Sequence, residues 1–169
     1  HLSEHAQSPQ GEDAMTSTAY HRMEVQAHSA LATTGRIRAA LPHSGTMASA
    51  FLYVPFHAVR IWRKMHTLAA LIAKGGEIQK PSKAPTEQEV AHSLALLREL
   101  HEAVTTITRA ARASTLIRAA YGPLLGAIER DTGILGRFLD DVEMSMSAEL
   151  RASLQKAIAE LTPPTGTDW

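Results

Sequence analysis

FLYVPFHAVRIWRKMHTLAALIAK, residues 51–74, carries apolar side chains at alternating steps of three and four: Phe51, Val54, Ala58, Ile61, Met65, Leu68 and Ile72. A helix turns by ~100° per residue, so this spacing gathers all seven into one stripe, whereas a strand would scatter them over two faces. The stripe is the a/d pattern of a helix packed against near-parallel neighbours. Pro55 is harmless in a first turn but costs ~3 kcal/mol in an interior, so the regular helix starts near Pro55 or an earlier one kinks there. Lys74-Gly75-Gly76 ends it.

The same period extends in both directions. Upstream, Tyr20, Met23, Ala27, Ala30, Thr34, Ile37 and Leu41 predict a helix from about Thr16 to Leu41, closed by a turn at Pro42-His43-Ser44-Gly45. Downstream, a proline-containing linker leads to Thr86-Glu87-Gln88-Glu89. In that capping box the Thr86 hydroxyl and the Glu89 carboxylate each accept from the other's backbone N–H. Val90, Leu94, Leu97, Leu100, Val104, Ile107 and Ala111 carry the third helix to about Ala113.

Ser114 caps a short continuation that ends at Tyr121-Gly122-Pro123. A further helix resumes at Leu124 through Ile128, Thr132, Leu135, Phe138 and Val142, and a last one runs from Ser147 to Leu161. Gly126, Gly133 and Gly136 predict close approach of a neighbour. The fold class is therefore all-α: a single bundle of four to five helices, mostly up-and-down. It occupies residues 14–161, between a flexible arm at 1–13 and a tail at 162–169.

Composition narrows the function more by exclusion than by assignment. Of 169 residues, 44 % are hydrophobic, enough for one domain with its own core. The chain has no cysteine, which removes disulfides, zinc ribbons, thiol nucleophiles and covalently attached haem. Lys and Arg balance Asp and Glu at 17 each, without the basic excess of a general nucleic-acid binder. No apolar run reaches the ~18 residues of a membrane span. The sequence begins at His1 rather than Met, as expected of a processed export signal or a trimmed chain. The compartment, cytoplasmic or exported, stays open. Gly-x-Ser-x-Gly, Walker and Gly-x-Gly-x-x-Gly patterns are absent.

The charge is unevenly spread. Between Glu24 and Glu77 there is no acidic residue, while Arg36, Arg38, Arg60, Arg63, Lys64 and Lys74 contribute six positive charges. From Pro123 onward eight acidic residues outnumber four basic ones. The basic part also holds Phe51, Tyr53, Phe56 and Trp62, half of the chain's eight aromatic residues. Arg60, Trp62, Arg63 and Lys64 on the second helix are therefore the candidate partner-binding residues. Flanking Leu52, Val59, Trp62 and Ala69 make that helix's stripe wider than one neighbour requires. The competing reading places this helix at the centre of the bundle, its Arg and Lys paired with acidic helices of the same chain.

Nine histidines raise the question of metal. His21, Glu24 and His28 fall within ~60° of arc on the first helix, offering two imidazoles and a carboxylate to a transition metal ion. His21 and His28 are ~10 Å apart along the axis, so one ion reaches only adjacent members. The competing reading is a solvated face. His57 and His66, like His92 and His101, are nine residues apart and point to opposite sides of their helices. Glu89 and His92 form a single Glu-x-x-His, a motif di-iron bundles use twice. His1 could chelate copper if it is a mature N-terminus. Asp140, Asp141 and Glu143 cluster at a helix end, which disfavours them unless a cation answers.

Taken together, these features predict a non-enzymatic bundle acting through association with a protein partner or with copies of itself, through its basic second helix. The alternative is a metal- or haem-binding bundle using its histidines, with a transition metal the compatible cofactor and none required. A third reading is a peripheral binder of anionic lipid or nucleic acid through Arg60, Arg63 and Lys64.

Overall fold

A computed structural model describes residues 16–39, 57–74 and 84–161. Five helices account for 92 % of it, with no strand among the described residues. They are α1 (Ser17–Ala39), α2 (His57–Lys74), α3 (Glu87–Arg112), α4 (Thr115–Met144) and α5 (Ala148–Leu161). The arm, the tail, Phe51, Leu52, Val54, Pro55 and the turn at 42–45 lie outside the described residues.

Each helix start has a local chemical cause. Thr16 accepts from the Ala19 N–H at α1, Ser114 from Ile117 at α4, and Ser147 from Leu150 at α5. The capping box of α3 forms as the sequence predicts, with Glu89 N–H donating to Thr86 Oγ1 at 3.1 Å and Thr86 N–H donating to Glu89 Oε1 at 2.8 Å.

The break foreseen at Tyr121-Gly122-Pro123 is present as a kink, at which two helical segments meet within α4. Tyr121 adopts φ −128°, ψ 18°. Pro123 has no N–H for the Ala119 carbonyl and its ring crowds that oxygen, so the backbone departs from helical geometry just upstream and then resumes.

α1 packs on α2 and α3, and α4 on α2 and α3, closing a four-helix ring; α5 packs against α3. The spacing reads the buried faces well. Tyr20, Met23, Ala27, Ala30, Thr34 and Ile37 of α1 are all buried, as are Ala58, Ile61, Met65 and Leu68 of α2. On α3, Leu94, Leu97, Leu100, Val104, Ile107 and Ala111 are buried. Each buried Leu, Ile, Val or Met among them contributes ~1.5–3 kcal/mol through burial, and each alanine less.

The helix at the centre of the bundle is α3 rather than α2, since α3 packs against α1, α4 and α5. The width of the α2 stripe has a local cause: α2 lies between α1 and α4 and buries a flank against each. Of the three glycines of α4, Gly136 meets a neighbouring helix closely, through the His101 ring. Gly126 and Gly133 face only the ends of arginine side chains.

Two side-chain hydrogen bonds tie α1 to α3. Ser17 Oγ donates to Glu89 Oε2 at 3.3 Å, and Ser93 Oγ donates to Glu24 Oε2 at 3.4 Å. Residue numbers rise together along α1 and α3 in these contacts, so the two helices run parallel and in a defined register.

Candidate functional site

The four candidate partner-binding residues of α2 divide into two kinds. Arg60 and Arg63 are exposed, and neither forms an ion pair with an acidic side chain among the described residues. Lys64 is half-buried and donates from Nζ to Ser29 Oγ on α1 at 2.7 Å. Trp62 is half-buried against the core, and its ring stacks on His66 with centroids 5.7 Å apart and an interplanar angle of 22°. Lys64 and Trp62 thus brace α2 against its surroundings, while Arg60 and Arg63 face solvent.

Two exposed carboxylates, Glu129 and Glu143, by contrast find arginine partners within the chain. Arg112 makes a two-pronged contact with Glu129, at 3.0 Å from Nε and 2.8 Å from Nη2, which raises the guanidinium pKa. Glu143 receives Arg98 at 3.9 Å and Arg151 at 3.6 Å, the cations that a carboxylate near a helix C-terminus requires. Arg98 and Glu143 pair across a shallow groove of about 630 Å³ between α3 and α4, which Glu102, Arg109 and Asp140 also line.

On the other side of the ring the structure brings together a trio that no single helix contains. Ligand atoms of Glu24 and His28 on α1 and His92 on α3 all lie within 4.8 Å of one another, the one such group of histidines and acids among the described residues. Glu24 is half-buried, and both histidines are exposed. His21 is exposed and stands outside the group.

Two of the three candidate metal residues are therefore placed together, one is left out, and His92 joins from 64 positions further along the chain than His28. Its signal was a polar residue near the start of α3. Local periodicity says nothing of which α1 residue faces it; the parallel register of α1 and α3 does. Glu89, the other half of the Glu-x-x-His motif, is held by the Thr86 N–H and the Ser17 hydroxyl.

The remaining histidines have separate surroundings. His57 is 1 % exposed, and neither ring nitrogen finds a hydrogen-bond partner among the described residues. Burial holds its pKa below the ordinary imidazole value, and the nearby Arg60 and Arg36 cations lower it further. His66 lies on the opposite side of α2, its Nδ1 3.2 Å from Asp131 Oδ2. His1 lies outside the described residues. No described helix is long and apolar enough to cross a membrane. Comparison with protein-family models, curated proteins and solved structures finds no match to this chain.

Proposed function

We propose that this chain is a non-enzymatic helical bundle that works by protein–protein association, presenting the basic face of α2 to an acidic protein surface. One observation carries the reading. Arg60 and Arg63 remain exposed without an acidic partner among the described residues, while Glu129 and Glu143 are matched by arginines of α3 and α5. Unpaired cations on a rigid helix, in a segment with no acidic residue from 25 to 76, complement a surface of opposite charge. A second copy of the chain supplies such a surface, since Asp140, Asp141, Glu149 and Glu160 are exposed on α4 and α5. Where the exchange of unlike faces is reciprocal the contact is an isologous dimer, and where it is not it builds rings or open chains.

The test is charge reversal, Arg60→Glu with Arg63→Glu, followed by sedimentation at low and high salt and by urea unfolding. Association should weaken in the variant and with salt, mainly through the on-rate. Stability of the single copy should stay within ~0.5 kcal/mol, as expected of surface positions without structural partners. Trp62→Ala is the contrasting change. It removes packing against the core and His66, so it should destabilise the fold, by no more than the ~3–5 kcal/mol of a fully buried tryptophan. A reversal that unfolds the monomer and leaves association untouched would show that these arginines serve the fold.

A further inference from the structure

We propose that Glu24, His28 and His92 form a three-ligand site for one zinc ion, bridging α1 and α3 and leaving a coordination position open to solvent. The donor set is two imidazoles and a carboxylate, the protein share of an open zinc site whose remaining position is taken by water. With no cysteine in the chain, the site is a nitrogen–oxygen one.

The geometry favours a shared ion over direct bonding among the side chains. His92 Nε2 lies 3.8 Å from Glu24 Oε1, too long for a hydrogen bond. Two ligands of one tetrahedral zinc ion, at bond lengths near 2.1 Å, stand about 3.4 Å apart. The observed 3.8 Å, and a separation of at most 4.8 Å among all three ligand atoms, exceed that value by about 1.4 Å or less, within the reach of side-chain rotation. Glu24 and His28 are one helical turn apart on α1, so their side chains project side by side.

The position of His92 comes from the fixed register of α3 against α1. Ser93 holds the other carboxylate oxygen of Glu24 at 3.4 Å, which leaves Oε1 turned toward His92. Such an outer contact orients a metal-binding carboxylate and is itself expected to affect affinity. The site is independent of the basic face of α2 and does not use Arg60 or Arg63.

The experiment is calorimetric titration of zinc chloride into the full chain after removal of metal with a chelator, near neutral pH. The expected result is one zinc per chain, bound tighter than about 10 µM. His28→Ala, His92→Ala and Glu24→Gln should each weaken binding more than about tenfold, since outer-shell changes alone cost 10–100-fold. His21→Ala should leave it unchanged. Zinc should raise the unfolding temperature of the wild type and not of His92→Ala.

Because a substituted chain could fold poorly, a second measurement uses the wild type alone. Its cobalt-loaded form should show paramagnetically shifted proton signals from two imidazoles. Wild-type binding weaker than about 10 µM, a single shifted imidazole, or equal losses from His21→Ala and His92→Ala would each overturn the site.

Discussion

The Nδ1 of His66 stands 3.2 Å from Oδ2 of Asp131, and the two side chains differ sharply in exposure: 62 % for the histidine and 4 % for the aspartate. An almost buried carboxylate on α4 thus has a largely solvated imidazole on α2 as its hydrogen-bond donor, with Trp62 stacked over that imidazole. Removing the donor alone leaves a buried acceptor unsatisfied, which costs ~1–3 kcal/mol. His66→Ala should therefore destabilise the fold by that amount in urea unfolding, with an unchanged denaturant slope. Adding Asp131→Ala should return part of the loss, because removing both partners of a buried bond is milder than removing one. A double variant less stable than His66→Ala would show that the unsatisfied carboxylate is not the source of the loss.

How far the sequence could be read depends on which features are local. The Thr86 capping box, the Ser114 cap and the buried positions of α1 depend on neighbours within one or two turns, and period and cap chemistry describe those. Pro123 announced an interruption but not its kind, since kinking or ending a helix depends on whether packing beyond the proline holds the chain in line. Leu125 is fully buried although the stepwise pattern from Leu124 passes over it, because it stands three residues before Ile128 and seven before Thr132, on the same stripe that a step of four from Leu124 also reaches. The trio of Glu24, His28 and His92 was legible in two of its three members. Glu24 and His28 share a face by spacing alone, whereas His92 reaches them through the parallel alignment of α1 and α3, a tertiary property. The solvent-facing position of Arg60 and Arg63, against the engaged Lys64 beside them, likewise depends on where Ser29 and the acidic side chains end up.

His57 gives a pH dependence of definite sign. Its pKa is lowered in the folded state by burial and by Arg60 and Arg36, from an ordinary value of 6.5. As pH falls through 6.5, the unfolded chain takes up a proton at this position and the folded chain does not. Unfolding is then favoured. The contribution of His57 is fully present above 6.5 and is lost as pH falls toward the lowered native value, with a slope no steeper than about 1.4 kcal/mol per pH unit for one proton. His57→Leu keeps an apolar side chain of similar bulk in the same place. Unfolding free energies measured between pH 7.5 and 5 should fall less steeply for this variant than for the wild type. Parallel curves would assign the acid sensitivity to other groups.

The last prediction concerns two glycines in helices that should respond oppositely to the same change. Alanine in a helix interior is favoured over glycine by ~0.5–1 kcal/mol, because the unfolded chain has less backbone freedom to lose. At Gly35 of α1 an added Cβ meets nothing within 4 Å, so Gly35→Ala should gain about that much. At Gly136 of α4 the added Cβ would lie 2.9 Å from His101 Nε2 and 3.4 Å from its Cδ2. The ring must tilt away from α4, and overpacking of this kind costs ~1–3 kcal/mol. The cost outweighs the gain, so Gly136→Ala should lower stability by about 1 kcal/mol. If the ring is the cause, the loss should vanish in a chain already carrying His101→Ala, where Gly136→Ala should become stabilising. The double-mutant cycle would then show a coupling of ~0.5–3 kcal/mol between the two positions, the range seen for residues in contact. Additive effects would instead place the strain in the α4 backbone, and the same thermal or urea series on the four chains decides between the two.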